Sequence, residues 1–308
     1  MFSISKEIPE SWEDALKDFL LWKMAEGVSK RTIRDYDEHI RFFFNRYPEA
    51  YQSRLKESIY EYLQQPVKPA TYNLRLVYLK GFISWGVKEG IFPDNPLIGM
   101  KKRRDEGRTV NIDPDILTRL IGLPDQNTYA GLRDYALILM TLDCGIRPSE
   151  AQGLVPEDIN TRSMEVTIRA EIAKTRVSRT LPLSKITIQA IRDLIKARHS
   201  SWKVNTPLFC SADGTPLNAY TWGDRLEHYS RILGTKIRPY DLRHSFALQF
   251  LRNGGHALAL QRTLGHSDLA MTRRYISLTQ EDLRNQHNTA SPLNTFVNQR
   301  NRKRTLGD

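Results

Sequence analysis

A chain of 308 residues with 40% hydrophobic content and five tryptophans has the apolar mass for two cores of ~100–200 residues each, and is not a disordered polymer. Its formal net charge of +11 points to a polyanionic partner, either nucleic acid or an anionic membrane surface. Spanning a bilayer takes ~20 apolar residues, and the longest apolar run, Ala136 to Leu142, falls far short, so no membrane partner is expected.

Two cysteines, Cys144 and Cys210, are too few for a disulfide framework and suit a reducing cytoplasm as small buried filler. Residues 1–10 read as a short leader that lacks the basic and apolar regions of a secretory signal. Ser11 and Asp14 then form a capping signal for a helix with Leu16, Phe19, Leu20 and Met24 as its apolar stripe, closed by Gly27. A second helix, about 29–46, carries Ile33, Tyr36, Ile40, Phe43 and Phe44 on one face. A third, 55–63, precedes the breaker 64–69. A fourth, 70–88, presents Leu74, Val77, Phe82 and Val87 and ends at Gly90. The turn residues 92–96 follow. Residues 1–99 are therefore expected to form an all-helical domain, with Lys30, Arg31, Arg34, Lys68 and Lys80 on polar faces interleaved with Tyr72 and Tyr78.

Residues 100–110 form the expected junction. Lys101-Lys102-Arg103-Arg104 cannot be packed in a core, so the segment reads as an exposed, extended basic linker. The second domain, 111–308, starts with Asp113 as N-cap and Pro114 at the first helical position, backed by Ile116, Leu117, Leu120 and Ile121. An apolar helix, 131–142, leads into Asp143–Glu150. After Val155 the apolar period changes to two at Met164, Val166 and Ile168. A turn at 173–179 and Thr180–Leu183 follow, predicting a hairpin or three-stranded sheet with Lys174 at its tip or flank. Helices over 184–198 and 220–233 flank a loop containing Asp213-Gly214. The fold class is mainly α: a helical amino-terminal domain and a mixed α+β second domain with one small sheet.

The stretch 238–275 carries the most information. Tyr240 and Arg243 sit at the start of a helix whose buried face is Phe246, Ala247, Phe250 and Leu251, and Gly254-Gly255 ends it. A helix from His256 to Leu264 stops at Gly265, which puts His266 at a turn. A third helix begins near Asp268 and carries Thr272, Arg273, Arg274 and Tyr275. Singly, each of these residues has a bland alternative: a surface charge, a structural histidine, a core tyrosine. Together they present a cation, an imidazole and a phenol from successive helix ends, an arrangement suited to gripping one phosphate.

The combination resembles the signature of the tyrosine recombinases, the phage integrase family. That pattern, His-x-x-Arg-His, then Leu-Gly-His, then a tyrosine nine residues on, is matched by Tyr240–His244, Leu264–His266 and Tyr275, with Tyr240 where the family commonly has histidine. Cys144–Glu150 is similar to the family's first arginine box, Ile172–Thr175 to its hairpin lysine, and Asp94-Asn95-Pro96 to the end of its helical domain.

The resemblance implies a site-specific DNA recombinase whose catalytic set is Arg147, Lys174, Tyr240, Arg243, His266 and the nucleophile Tyr275. It also implies double-stranded DNA at a specific site as partner and assembly into a dimer or tetramer on that DNA. The helical domain would lie across the duplex, with the linker at Lys101 to Arg104 following the backbone as part of a clamp; a merely solvated helix face and linker are the alternatives. The basic end, Arg300, Arg302, Lys303 and Arg304, would dock on a neighbouring protomer or stay a disordered tail. Because the first helix opens at residue 11, no additional arm-site domain is expected and simpler recombination sites are. Service to a mobile element is the first expectation, with chromosome or plasmid dimer resolution next. A type IB topoisomerase and a catalytically silent DNA-binding protein are the rivals.

The chemistry fits the residue types. Breaking a phosphodiester without water needs a nucleophile that stays attached, and a phenol can serve. Two guanidiniums, Arg147 and Arg243, can each grip non-bridging oxygens through paired hydrogen bonds, and such preorganised donors are worth ~3–4 kcal/mol each. The ammonium of Lys174 can protonate the leaving 5′-oxygen. His266 can donate to the phosphate or orient it. Tyr240 can donate a hydrogen bond but is a poor base at neutral pH, which leaves the proton acceptor for Tyr275 unassigned. The bond energy is kept in the phosphotyrosine, so no cofactor is expected. The sequence has neither a phosphate-binding Gly-x-x-x-x-Gly-Lys loop nor metal-ligand spacing. Glu150 is expected to hold Arg147, and His244 to pack beside Arg243.

Overall fold

Ser11 opens the first element by accepting the Asp14 amide on its hydroxyl at 3.1 Å and donating to the Asp14 carboxylate at 2.6 Å, and α1 runs over Trp12–Ala25. The computed structural model describes residues 8–105, 111–273, 275, 284 and 287–296. The leader up to residue 7, linker residues 106–110, Arg274 and the basic end from Arg300 lie outside the described residues. The chain divides into two compact units, Met1–Arg108 and Thr109–Asp308.

In the first unit, Ser29 caps α2, Lys30–Arg46, and α3, Leu55–Gln64, and α4, Pro69–Lys88, follow. Phe19 is fully buried, with the rings of Trp22, Tyr36, Phe82 and Trp85 centred 5.0–5.9 Å away. Burying one such ring contributes about 1.5–3 kcal/mol. Two expected faces are corrected. Met24 is 54% exposed, and the buried stripe of α1 is Trp12, Ala15, Leu16 and Phe19. On α4, Leu74 and Val77 are exposed while Tyr72, Leu76, Leu79, Phe82 and Ile83 are buried. That helix carries two apolar stripes, and the one bearing the large rings wins because it removes more surface from water.

Tyr72 is thus a core residue, not part of a polar face, and the guanidinium of Arg103 stacks over it at 3.9 Å. Asn73 accepts the Arg103 amide at 2.8 Å and donates to its carbonyl at 2.9 Å. The first half of the junction, 101–105, is exposed, but Arg103 is tied back onto α4. Tyr78 packs edge-on against Tyr36 and stacks on His39, and burial lowers the pKa of that imidazole.

In the second unit, Asp113 and Thr128 cap α5, Pro114–Ile121, and α6, Tyr129–Cys144. A short α7, Pro148–Ala151, precedes the strands β1, Ile159–Asn160, β2, Glu165–Ile168, and β3, Arg179–Pro182. The three strands form one antiparallel sheet in the order β1-β2-β3, with Val166 opposite Leu181 and Ile168 opposite Arg179. Met164 belongs to the β1–β2 turn, at φ +56°, and not to the alternating strand. Helices α8, Lys185–Lys196, and α9, Ala219–Leu233, complete the main core with α6 and the sheet.

Then come α10, Pro239–Arg252, α11, Ala257–Leu264, and α12, Leu269–Arg273. Tyr275 lies beyond α12, not within it, in a turn where its amide donates to the Thr272 carbonyl at 2.9 Å. Its ring joins a separate small core with Phe246, Ala247, Leu260 and Leu264. Cys144 and Cys210 are buried free thiols, and burial pushes Cys144 up to about 12. Among the described residues no helix is long and apolar enough to cross a membrane.

Candidate active site

Two glycine turns set the frame. Gly145 ends α6 and Gly265 ends α11, both in the left-handed region at φ +62° and +60°, where a Cβ is costly. A Cβ on Gly145 would also collide with the Phe246 ring. Each turn aims its carbonyl at an arginine: Arg243 donates to Gly145 O at 2.5 Å and to Leu264 O at 2.8 Å, and Arg147 donates to Gly265 O at 2.8 Å. Both guanidiniums are about 95% buried. A buried charge needs compensation, and one carboxylate supplies it from behind.

That carboxylate is Glu150, one turn after Arg147 and fully buried. It accepts from Arg147 Nη1 at 2.8 Å and, from the other side, from both terminal nitrogens of Arg179 at 3.1 and 2.5 Å. Burial works to raise the Glu150 carboxyl, but Arg179 and Arg147 together outweigh it and hold it below the ordinary carboxylate range. Three guanidiniums around one carboxylate leave a net positive site. Burial and the charge of Arg147 pull Arg243 down to about 10, so it stays cationic at neutral pH.

His266 follows Gly265. Its Nε2 lies 3.2 Å from Arg243 Nη2 and its Nδ1 2.8 Å from the hydroxyl of Thr272. A guanidinium can only donate, so Nε2 accepts and the ring proton sits on Nδ1, facing Thr272. Donation from Nε2 to a phosphate would therefore require that nitrogen to be protonated and to exchange Arg243 for a phosphate oxygen. Thr272 holds both His266 and, through its carbonyl, the backbone of Tyr275.

His244, expected to pack beside Arg243, has a contact of its own with the nucleophile candidate. It is one residue on along α10, and its Nδ1 lies 2.6 Å from the Tyr275 hydroxyl. Tyr275 itself is 6% exposed. Lys174 is exposed on the β2–β3 connection, and Tyr240 is 48% exposed in the first turn of α10.

All six expected catalytic residues line one cavity of about 420 Å³: Arg147, Lys174, Tyr240, Arg243, His266 and Tyr275. No acidic residue is among its described lining, so it offers a field of one sign, suited to a phosphate diester. A larger groove of about 510 Å³ beside α9 mixes Asp224 and Glu227 with Arg231, Lys236 and Arg238 and presents no such field. Of the expected DNA contacts, Lys30, Arg31, Arg34, Lys68, Lys101, Lys102, Arg103 and Arg104 are exposed and Lys80 is half-buried, all in the first unit. The sequence reading missed Arg179, Thr272, the two glycine carbonyls and the contact between His244 and Tyr275.

The pattern of the Phage integrase family matches residues 111–282. The chain belongs to this family. As a tyrosine recombinase it is a DNA strand transferase. It is 32% identical over 233 residues to the tyrosine recombinase XerC of Shewanella amazonensis, covering 74% of this chain and 77% of that protein. It is 25% identical over 281 residues to the tyrosine recombinase XerD of Pseudomonas aeruginosa, covering 87% and 93%. Its fold is similar to that of the Tn1549 transposon integrase in complex with a circular intermediate DNA, at a TM-score of 0.70 and 18% identity over 89% of this chain and 99% of that one. A lambda integrase dimer bound to a COC' core site gives a TM-score of 0.68 and 16% identity over 84% and 96%. The mainly α fold with one small sheet is thus the fold of tyrosine recombinases.

Proposed function

We propose that this recombinase binds duplex DNA at a specific site and exchanges strands through a 3′-phosphotyrosine on Tyr275. Attack by the phenol builds negative charge on the non-bridging oxygens, and Arg147 and Arg243 meet it with guanidiniums already fixed by carbonyls and Glu150, so little reorganisation accompanies the reaction. Lys174, on its exposed connection, protonates the departing 5′-oxygen. Tyr240 holds the phosphate from the rim, and His266 joins it once its Nε2 is protonated and exchanges Arg243 for a phosphate oxygen. Residues 1–99 act as the core-binding domain, which contacts the duplex through Lys30, Arg31, Arg34, Lys68 and Lys80. Residues 100–110 act as the basic linker and 111–308 as the catalytic domain, and the active assembly is a dimer or tetramer on DNA.

The observation that carries this reading is the convergence of the six residues on one cavity, with no acidic residue among its described lining. Service to a mobile element is the first biological reading. A second, resolution of chromosome or plasmid dimers, is favoured by the likeness to XerC and XerD. A nicked duplex carrying the site that the protein selects from a random-sequence pool tests the chemistry. Wild type should form a denaturant-resistant adduct on it, and Tyr275→Phe should bind it equally well and form none. A wild-type adduct level from Tyr275→Phe removes the nucleophile assignment. Plasmids with two such sites, in one molecule or in two, then separate resolution from integration.

A further inference from the structure

We infer that His244 is a catalytic residue: the acceptor of the Tyr275 proton in strand cleavage and its donor in strand joining. The inference rests on the assignment of Tyr275 as nucleophile and deepens it. The phenol needs an acceptor, because at a reference pKa near ~10 it is almost wholly protonated at neutral pH. Tyr240, at the position where a base would be looked for, is itself a phenol and gains nothing by taking a proton from another. His266 is committed on both ring nitrogens, to Arg243 and to Thr272. The group that touches the reacting oxygen is His244, with Nδ1 2.6 Å from Tyr275 Oη, inside the reach that proton transfer requires.

The geometry is fixed from both sides. The Tyr275 ring is packed with Phe246, Ala247, Leu260 and Leu264. His244 is half-buried on the regular helix α10, two residues before Phe246. An imidazole, with a reference pKa near ~6.5, is the side chain best matched to exchange a proton at neutral pH.

The step balances as follows. With its own proton on Nε2, His244 takes the phenol proton on Nδ1 as Tyr275 Oη bonds to phosphorus. The bond from phosphorus to the 5′-oxygen breaks, and Lys174 protonates that oxygen. In joining, Lys174 takes the proton of the attacking 5′-hydroxyl, the phosphotyrosine bond breaks, and the His244 imidazolium returns its proton to the phenolate.

The test uses the full chain and the same nicked duplex, under single turnover. His244→Ala should form the covalent adduct ~10²–10⁴-fold more slowly, the range for a lost general base, with unchanged duplex affinity. Added imidazole should restore part of the rate, and the equally sized but weakly basic pyrazole should not. His244→Gln fills the site and accepts a hydrogen bond but cannot take a proton, so it should be as slow as alanine; it also carries the test if the alanine variant does not fold. Wild-type rates in either variant, or a loss in His244→Ala that imidazole does not relieve, overturn the inference. If Tyr275→Phe still forms the adduct, the nucleophile assignment itself fails; if only the His244 variants behave as wild type, this inference fails alone.

Discussion

Arg179 on β3 holds Glu150 on α7 by two hydrogen bonds, and thereby ties the sheet to the short helix that follows Arg147. The contact joins residues 29 positions apart in the chain and fixes the carboxylate that, with the Gly265 carbonyl, holds the Arg147 guanidinium. Glu150 has no exposed side-chain surface, and Arg179 has 13%. Breaking one partner of such a pair leaves buried charge uncompensated, at a cost of about 3–5 kcal/mol.

Glu150→Gln should therefore lower the melting temperature by several degrees and slow adduct formation more than it weakens DNA binding. The sign with pH is fixed. The Glu150 carboxyl is held below its ordinary value in the folded protein, so its contribution is complete above the unfolded carboxylate value near ~4.3 and disappears as pH falls through the lower folded value. Melting curves of wild type and Glu150→Gln should be separated by a constant interval from pH 5 to 8 and converge in stronger acid. Curves that stay parallel down to pH 2 would show that the carboxylate charge is not what stabilises the site.

What the sequence made legible here was local. Ser11 and Asp113 cap the helices they were expected to cap, because a cap is decided within four residues. The catalytic residues lining the cavity could be named because the motifs that carry the family resemblance are themselves local: Arg147 and His266 follow the helix ends at Gly145 and Gly265, and Tyr240 and Arg243 open α10. Side-chain direction could not be read. Leu74 and Val77 have the right period for a core stripe on α4, and only the competition with the rings of Tyr72 and Phe82 turns them outward. Arg179 was invisible for another reason: a surface strand arginine and one that locks a buried glutamate have the same local sequence. His244 and Arg243 were read as one unit because they are neighbours, yet 100° of helical rotation sends them to different partners.

The hydroxyl of Thr272 offers a finer test of how His266 is set. Thr272 is fully buried, and its hydroxyl lies 2.8 Å from the imidazole Nδ1. Thr272→Val keeps the shape and removes the partner, leaving a ring nitrogen facing carbon. A net hydrogen bond of ~0.5–1.5 kcal/mol corresponds to a cleavage rate roughly 2–13-fold lower, with the affinity for DNA unchanged. A variant that cleaves at the wild-type rate would mean that His266 is positioned without the Thr272 hydroxyl.

The junction separates two kinds of cation. Lys101 and Lys102 are exposed, whereas Arg103 stacks on Tyr72 and reaches the Leu63 carbonyl at 3.4 Å. If the linker follows the DNA backbone, affinity falls steeply with salt, with a slope near −0.9 per phosphate contacted. Replacing Lys101 and Lys102 by alanine should flatten that slope by up to ~1.8 without changing the melting temperature. Arg103→Ala should instead lower the melting temperature through the loss of a cation–π contact worth about 0.5–1 kcal/mol at an exposed site. Binding isotherms from 50 to 300 mM salt decide between the two roles, and an unchanged slope in the double variant would leave the lysines merely solvated.

Tyr240 is where this chain leaves the pattern of its family, and the cavity gives it a defined task. Its ring stands 48% exposed at the rim, three residues before Arg243 on α10, so the hydroxyl can donate to a phosphate that Arg243 grips from below. The role needs a donor and not a base, since His244 already touches the nucleophile. Tyr240→Phe should therefore slow cleavage roughly 2–13-fold, the worth of one neutral hydrogen bond of ~0.5–1.5 kcal/mol, and leave site binding intact. Arg243→Ala should lose far more, ~10²–10³-fold, as expected for a buried donor to a developing oxyanion. Tyr240→His supplies a donor again and should cleave nearly as fast as wild type. In a His244→Ala background the same Tyr240→His change should recover little, because it is His244 whose imidazole nitrogen lies against the phenol. Cleavage rates of these variants over pH 5 to 9 test each step. If Tyr240→Phe cuts as fast as wild type throughout, Tyr240 is packing at the cavity mouth and leaves the catalytic set.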